Sequence, residues 1–540
     1  MKLKNKILII FASILIFASI TFSSSDINYL QNRDKLVRAF DLIYQNYTDE
    51  INSDELTAKT IEKMVDELDP FTNYLRKQSK FSLSTLAKGN YGGVGFRINM
   101  QNDTLTVLSL MEDEPAWRAG IYPGDQIIKI DNKSIADIPF NTISELIRGK
   151  PKTKVILTIL RQKKEITFPI IRKKIIIKEI PYSTILDKNV GYIKLNGFSK
   201  NAHNELMKKL IEFNQSKIKY LILDLRNNSG GLLTEAKNVM DILIGKNKLI
   251  VYTRGKHSHF NHKLYSQKRS LLPKKVKLAI LINNKSASAS EIVAGAIQDY
   301  DRGIILGKTS VGKGLVQHVY NLDDTSAVKI TTSKYFLPSK RWIQKVDYYD
   351  ENKIINANID STKKYFTQNG REVNANIGIE PDSILVEKKL SNIAKDLIKK
   401  KHTFEYARTF MLENPKDNNF NNMEKHFLNF IGFLNNQNYK FINPTIKKIE
   451  ELENKLNKND TLSEDTKKIF ETLKKSFILD TKELLEKNKN EITDILQIEL
   501  AGFYGGTNKK YKYKIKNDEV IKNAILLLKS DSYDEILNIK

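Results

Sequence analysis

Leu278-Ala279-Ile280-Leu281-Ile282, followed by Asn284-Lys285-Ser286-Ala287-Ser288-Ala289-Ser290-Glu291-Ile292-Val293-Ala294-Gly295-Ala296, is the stretch on which the fold turns. Five consecutive apolar residues suit a strand covered on both faces, and the small polar run after them separates that strand from a helix. The same rhythm continues upstream, with strand-like runs at 190–195 and 220–224 and helical patterns near 204–213 and 234–244. Such alternation predicts an α/β core.

Further out, the texture changes. Between 91 and 172 short β-rich runs at 105–110, 126–130 and 154–160 alternate with glycine turns. That small domain opens on Tyr91-Gly92-Gly93-Val94-Gly95-Phe96 and contains Pro115-Ala116-Trp117-Arg118-Ala119-Gly120, then Pro123-Gly124-Asp125. Upstream, Leu36, Phe40, Ile43 and Tyr44, then Ile61, Met64, Val65 and Leu68, recur at spacings of three and four, as two amphipathic helices would. Asp54 and Glu55 suit the positive end of the second helix, and Asp69-Pro70 closes it. Beyond 389 the text is Lys/Glu/Asn-rich and helical. A chain of 540 residues exceeds one ordinary core of roughly 100 to 200. The expected division is 1–25 signal peptide or anchor, 26–87 N-terminal helical region, 88–172 β-rich domain, 173–388 α/β core and 389–540 helical C-terminal domain.

Composition narrows the function. The formal charge of +25 would fit an anionic partner, but the lysines are spread along the whole chain and no RNA or DNA motif accompanies them. They read as solvated faces, and no nucleic-acid partner is expected. With no cysteine, a disulfide framework, a thiolate zinc site and a Cys nucleophile are excluded. Lys2, Lys4 and Lys6 precede an apolar run from Ile7 to Phe22, which at 16 residues falls short of the roughly 20 that span a bilayer. Export to the periplasm or cell envelope follows, with membrane contact only if the segment stays uncleaved.

Ser288 sits at the strand-to-helix junction, where free helix N–H groups and the positive dipole end can help an oxyanion. Ser288 and Glu291 also form an S-x-x-E capping box, the plain structural reading. Downstream, Gly307-Lys308-Thr309-Ser310-Val311-Gly312-Lys313-Gly314 sets one lysine between glycines. It is not a phosphate-binding Walker loop, because Gly314 stands where Ser or Thr is needed.

With these motifs, the chain resembles the C-terminal processing peptidases, or tail-specific proteases, over roughly 30–385. Leu68 to Leu75 is similar to the family's LDPxSxYL signature, and Tyr91 to Phe96 with Ala119 to Asp125 to its PDZ motifs. Gly191-Tyr192-Ile193, Asp224-Leu225-Arg226-Asn227-Asn228-Ser229-Gly230-Gly231-Leu232-Leu233, Ser286 to Glu291 and Gly312-Lys313-Gly314-Leu315-Val316-Gln317 follow in the family's order. Thr331 to Tyr335 with Pro338-Ser339, and Gly378-Ile379-Glu380-Pro381-Asp382, complete it. Departures are Phe71 and Thr72 for His and Ser, Lys340 for a glycine, and Asn374-Ala375-Asn376 for a glycine-rich run.

The resemblance implies a crotonase-like α/β protease core with an inserted PDZ domain, no cofactor, Ser288 as nucleophile, Lys313 as general base and Gln317 supporting the lysine. Oxyanion donors would be the Ala289 N–H and one from Gly230 or Gly231. Gly93, Val94, Gly95 and Phe96 would take a free peptide C-terminus, Val94 and Phe96 forming an apolar floor for apolar tails. The partners expected are protein or peptide substrates, with or without an adaptor. A lysine base must lose its charge, so its pKa must fall from about 10.4 toward 7 to 8 by desolvation, and Val311, Leu315 and Val316 are suitable neighbours. Eleven helical residues, about 16 Å at 1.5 Å each, keep Asp299 from Ser288, so Asp299 reads as structural, with Arg302 or another core group as its partner. His203 and His318 read as surface or packing residues. Two other readings share the pattern: a catalytically silent PDZ scaffold, and a crotonase-type enzyme acting on acyl thioesters.

Overall fold

A computed structural model describes residues 24–101, 104–345, 363–415, 422–457, 463–477 and 480–539. The N-terminal apolar run lies outside them. Residues 1–74 and 75–540 form separate compact units. In the first, helices Ser24–Asn46 and Ser53–Asp66 match the expected pair, and the second is capped by Asn52, whose side chain accepts the Glu55 N–H at 3.0 Å. The Asp69 carboxylate ends the segment by accepting N–H from Phe71 and Thr72 at 2.8 and 3.0 Å.

The centre of the second unit is a sheet in the order Tyr182–Leu186, Val190–Lys194, Tyr220–Asp224, Lys277–Ile282, Ile304–Gly307 and Ser383–Ile384. Its first pair is an antiparallel hairpin and the rest are parallel. Register sets Ile193, Leu223, Ile280 and Ile305 in one row and Tyr192, Ile222, Ala279 and Ile304 in the next. Because successive side chains point to opposite faces, the two rows enter different cores. The first packs against helices Ala202–Gln215, Leu233–Leu243 and Ala289–Asp299. The second packs against Val520, Ile521, Ala524 and Leu528 of helix Glu519–Lys529 and against Tyr533 and Leu537 beyond it. Parallel strands need cover on both faces. The cover of the second face thus comes from the end of the chain, inside the stretch that reads in sequence as one C-terminal helical region.

The β-rich domain enters and leaves through one antiparallel pair, Asn90–Gly93 with Lys173–Ile176, which makes it an insertion. Its main sheet runs Phe96–Gln101, Thr104–Leu110, Gln126–Ile130, Lys154–Arg161 and Lys164–Ile171, so Phe96–Gln101 is an edge strand. The Pro123-Gly124-Asp125 motif is structural. Asp125 holds Arg161 through two bonds of 2.7 and 2.6 Å and accepts the Tyr122 N–H, while Gly124, at φ +88°, lies under the Arg408 side chain. Val94 and Phe96 do not form an exposed floor. Their side chains are 2% and 9% exposed and pack in this domain's core with Leu105, Val107 and Ile143. Further helices from Asn392–Lys399 onward form their own core around Tyr406, Phe427, Phe430 and Leu496.

Candidate active site

The Lys277–Ile282 strand ends, and six residues later the backbone turns sharply into helix Ala289–Asp299. Ser288 makes the corner at φ +55°, ψ −113°, a backbone conformation that residues other than glycine rarely adopt. Around it the turn is tied down. Ala287 N–H and the Ser290 hydroxyl both donate to the Asn228 carbonyl, at 3.1 and 2.9 Å, and the Tyr335 hydroxyl donates to the Ser288 carbonyl at 3.4 Å. Such over-determination is what lets a strained residue persist.

Glu291, which looks from sequence like half of a capping box, does more than cap. Its Oε2 accepts the Ser288 N–H at 2.7 Å and the Lys313 N–H at 2.9 Å, while Oε1 accepts from Gly312 N at 2.6 Å and Ser310 Oγ at 2.5 Å. One carboxylate therefore sets the serine turn against the lysine loop. Burial pushes its pKa up to about 7, against the pull of these four donors. The loop needs its glycines: a side chain at Gly312, φ +82°, would meet Lys345 Cβ at 2.8 Å, and one at Gly314 would meet Trp342 Nε1 at 2.7 Å. The Gly314 carbonyl accepts the Trp342 Nε1–H at 2.9 Å.

The third loop follows the Tyr220–Asp224 strand. Gly230 and Gly231 hold φ of +100° and +152°, and a Cβ on Gly230 would lie 3.0 Å from Ala289 N. The Gly230 N–H donates to Asn228 Oδ1 at 2.9 Å, whereas among the described residues no partner is found for the N–H of Gly231 or Ala289. Asn228, wholly buried, also donates to the Leu195 carbonyl at 2.9 Å, so it anchors this loop and the serine turn together.

Ser288, Ala289, Gly230, Gly231, Lys313 and Gln317 line one cleft of about 700 Å³ with Leu233, Ile292, Leu315 and Val316, and the helix Lys77–Lys88 closes one side through Leu83 and Ala87. Val311 is not among the residues that line the cleft, and its N–H donates to the Ser286 carbonyl at 3.0 Å. Gln317 donates through Nε2 to Thr331 Oγ1 at 3.2 Å. Asp299 pairs with Arg341 at 2.9 Å and accepts the Ser339 N–H at 2.8 Å, while Arg302 turns to the carbonyls of Val276 and Pro273. His203 pairs with Glu235 at 2.8 Å, and His318 bonds Thr332 at 2.6 Å on the exposed side of its strand. Asn228, Glu291 and Tyr335 escaped the sequence reading, Glu291 because its spacing to Ser288 already satisfied a local explanation. Among the described residues no cluster of side chains could hold a metal ion, and no helix is long and apolar enough to cross a membrane.

Residues 189–350 match peptidase family S41 and residues 106–161 a PDZ domain. Residues 393–528 match "Probable PDZ-protease, C-terminal helical domain", and 18–79 match "Activating protease CtpB N-terminal domain". A "Probable CtpA-like serine protease" of Staphylococcus epidermidis is 34% identical over 355 residues, covering 63% of this chain and 71% of that protein. One of Staphylococcus saprophyticus is 35% identical over 344 residues, covering 62% and 69%. A solved photosystem II D1 C-terminal processing protease is 24% identical with a TM-score of 0.36, covering 65% of this chain and 92% of that one. The chain belongs to peptidase family S41: it is a serine-type peptidase with a PDZ domain inserted ahead of its α/β core.

Proposed function

We propose that the chain is an exported endopeptidase that works through a Ser288/Lys313 pair and selects substrates by their free C-termini. The observation that carries this reading is the shared grip of Glu291 on the N–H groups of Ser288 and Lys313, which brings both residues to one cleft from separate loops. Ser288 Oγ attacks the scissile carbonyl carbon and passes its proton to the neutral Lys313 amine. The oxyanion receives N–H bonds from Ala289 and Gly231, since Gly230 has already committed its own. The Lys313 ammonium returns the proton to the leaving amine, and water then hydrolyses the acyl-enzyme. Gln317, its Nε2 spent on Thr331, has its amide oxygen left to accept from Lys313 and orient it without fixing its charge.

Substrate tails would add to the free edge of Phe96–Gln101, with the carboxylate at the backbone of Gly93 to Phe96. What that segment offers is backbone, because Val94 and Phe96 are packed inward. Export rests on the basic and apolar N-terminal text.

The test is turnover of a peptide with a free apolar tail. Ser288→Ala should be inactive, and Lys313→Arg as inactive as Lys313→Ala, because a guanidinium does not deprotonate in the working range. Amidating the tail should weaken cleavage. Undiminished turnover by pure Ser288→Ala removes the nucleophile, and equal cleavage of free and amidated peptides removes tail capture while leaving the pair intact.

A further inference from the structure

The loop bearing Gly230 and Gly231 is rooted in a buried cluster of charges, and one of them comes from the far end of the chain. Asp224 ends its strand 1% exposed. Burial pushes its carboxyl up, but Lys194 and Arg226 pull it well below the ordinary carboxylate range. It accepts from Tyr192 OH at 2.8 Å and from Arg226 Nη2 at 2.7 Å. Lys194 Nζ reaches Asp224 Oδ1 at 3.4 Å and also donates to the Arg226 carbonyl. Two buried cations thus face one buried anion.

The second anion is Asp518. Its carboxylate takes Arg226 Nη2 at 2.8 Å and Nη1 at 3.3 Å, so the guanidinium is clamped between Asp224 and Asp518. The exposed Glu387 lies farther away, at 3.5 Å. Asp518 is itself held: it caps helix Glu519–Lys529, accepting from Val520 and Ile521 N–H at 3.0 and 3.2 Å, and that helix is packed on the central sheet. Two residues beyond Arg226 comes Asn228, whose side chain and carbonyl place Gly230 and the serine turn.

We propose that Asp518 is a positioning residue of the peptidase. By neutralising Arg226 it fixes the root of the glycine loop, so the C-terminal helix completes the oxyanion side of the cleft. This rests on the assignment of Gly231 and Ala289 as oxyanion donors.

Asp518→Asn tests it in the full chain, because asparagine caps a helix as well as aspartate, so the cap stays while the charge and the oxygen that accepts Arg226 Nη2 are lost. Asp518→Ser, another neutral cap, serves should the first variant not fold. Asp534→Asn is the control: Asp534 pairs with Lys277 at 2.8 Å in the same C-terminal segment, away from the cluster. Peptide turnover and affinity for a peptide boronic acid, whose tetrahedral adduct on Ser288 fills the oxyanion site, are read together. We expect Asp518→Asn to lower kcat roughly tenfold, less than the hundredfold or more that deleting an oxyanion donor costs, with KM within about twofold and boronate affinity falling alongside. The control should match wild type. A folded Asp518→Asn protein with wild-type kcat and boronate affinity overturns the proposal, and so does a loss that Asp534→Asn shares. If wild-type Ser288 takes no boronate at all, the site assignment fails and the proposal falls with it.

Discussion

Two corners meet at the wall of the cleft, and both hold the backbone at positive φ, yet one is glycine and the other is not. At Gly230-Gly231 a Cβ would lie within 3 Å of backbone on the serine turn or on Phe198, so the absence of a side chain is what permits the approach. At Ser288 the side chain is the reactive group of the proposed mechanism, so the corner carries a left-handed backbone strain of about 1–2 kcal/mol that ties from Asn228, Tyr335 and Glu291 offset. The contrast teaches that glycine marks where backbone must come close, and a strained non-glycine marks where a side chain must be presented.

The hardest way to break this comparison is to put a side chain on the glycine side. In Gly231→Ala the new Cβ would stand 2.5 Å from the Phe198 carbonyl oxygen and 2.7 Å from its carbon, backbone atoms that cannot swing aside. The variant should lose at least roughly a hundredfold in kcat and about 1–3 kcal/mol of stability. Near-normal kcat in a folded variant would mean that the close approach is not needed.

Glu291, which joins the serine corner to the lysine loop, sharpens the comparison through pH. Its carboxyl, ordinarily at 4.5, is raised by burial to about 7 in the folded protein. A raised carboxyl stabilises the fold fully below the unfolded pKa, and that contribution is lost as pH rises through 7, up to about 3 kcal/mol in all. Melting temperatures of wild type should therefore fall between pH 5 and 8 relative to Glu291→Gln, which has nothing to titrate. Activity should run the opposite way, because only the ionised carboxylate accepts from all four donors, Ser288 and Lys313 on Oε2 and Ser310 and Gly312 on Oε1. An acidic limb that Glu291→Gln leaves in place, at unreduced kcat, would assign it to Lys313 alone.

A smaller effect tests the strain itself. Ser288→Gly and Ser288→Ala should both be inactive, but the glycine variant should be more stable by about 1 kcal/mol, since only alanine retains a Cβ at φ +55°. Equal denaturation midpoints would show the corner to be unstrained. The smallest effect belongs to Lys340, which holds φ +71° in the turn between Leu337 and Arg341. Lys340→Gly should gain up to about 1 kcal/mol with kcat unchanged, and a loss would show that the lysine side chain holds the turn.

By itself the sequence determined the elements whose signals are local. Unbroken apolar runs marked the buried parallel strands, the step from periods of three and four to short runs between glycines marked the β-rich insertion, and Asp54 and Glu55 marked a helix start. The site's corners were singled out only by the resemblance across many motifs, because Ser288 before Glu291 reads locally as a helix cap and Lys313 between glycines as a turn. Tertiary structure alone decided the partners. An amphipathic pattern says which face of Glu519–Lys529 is apolar but not that it meets Tyr192, Ile222 and Ala279. Asp299 found Arg341 instead of Arg302, Val94 and Phe96 turned inward, and Glu291 gathered donors from 19 to 22 residues away. Burial and pairing depend on which surfaces meet, and residues far apart in the chain leave no periodic trace of meeting.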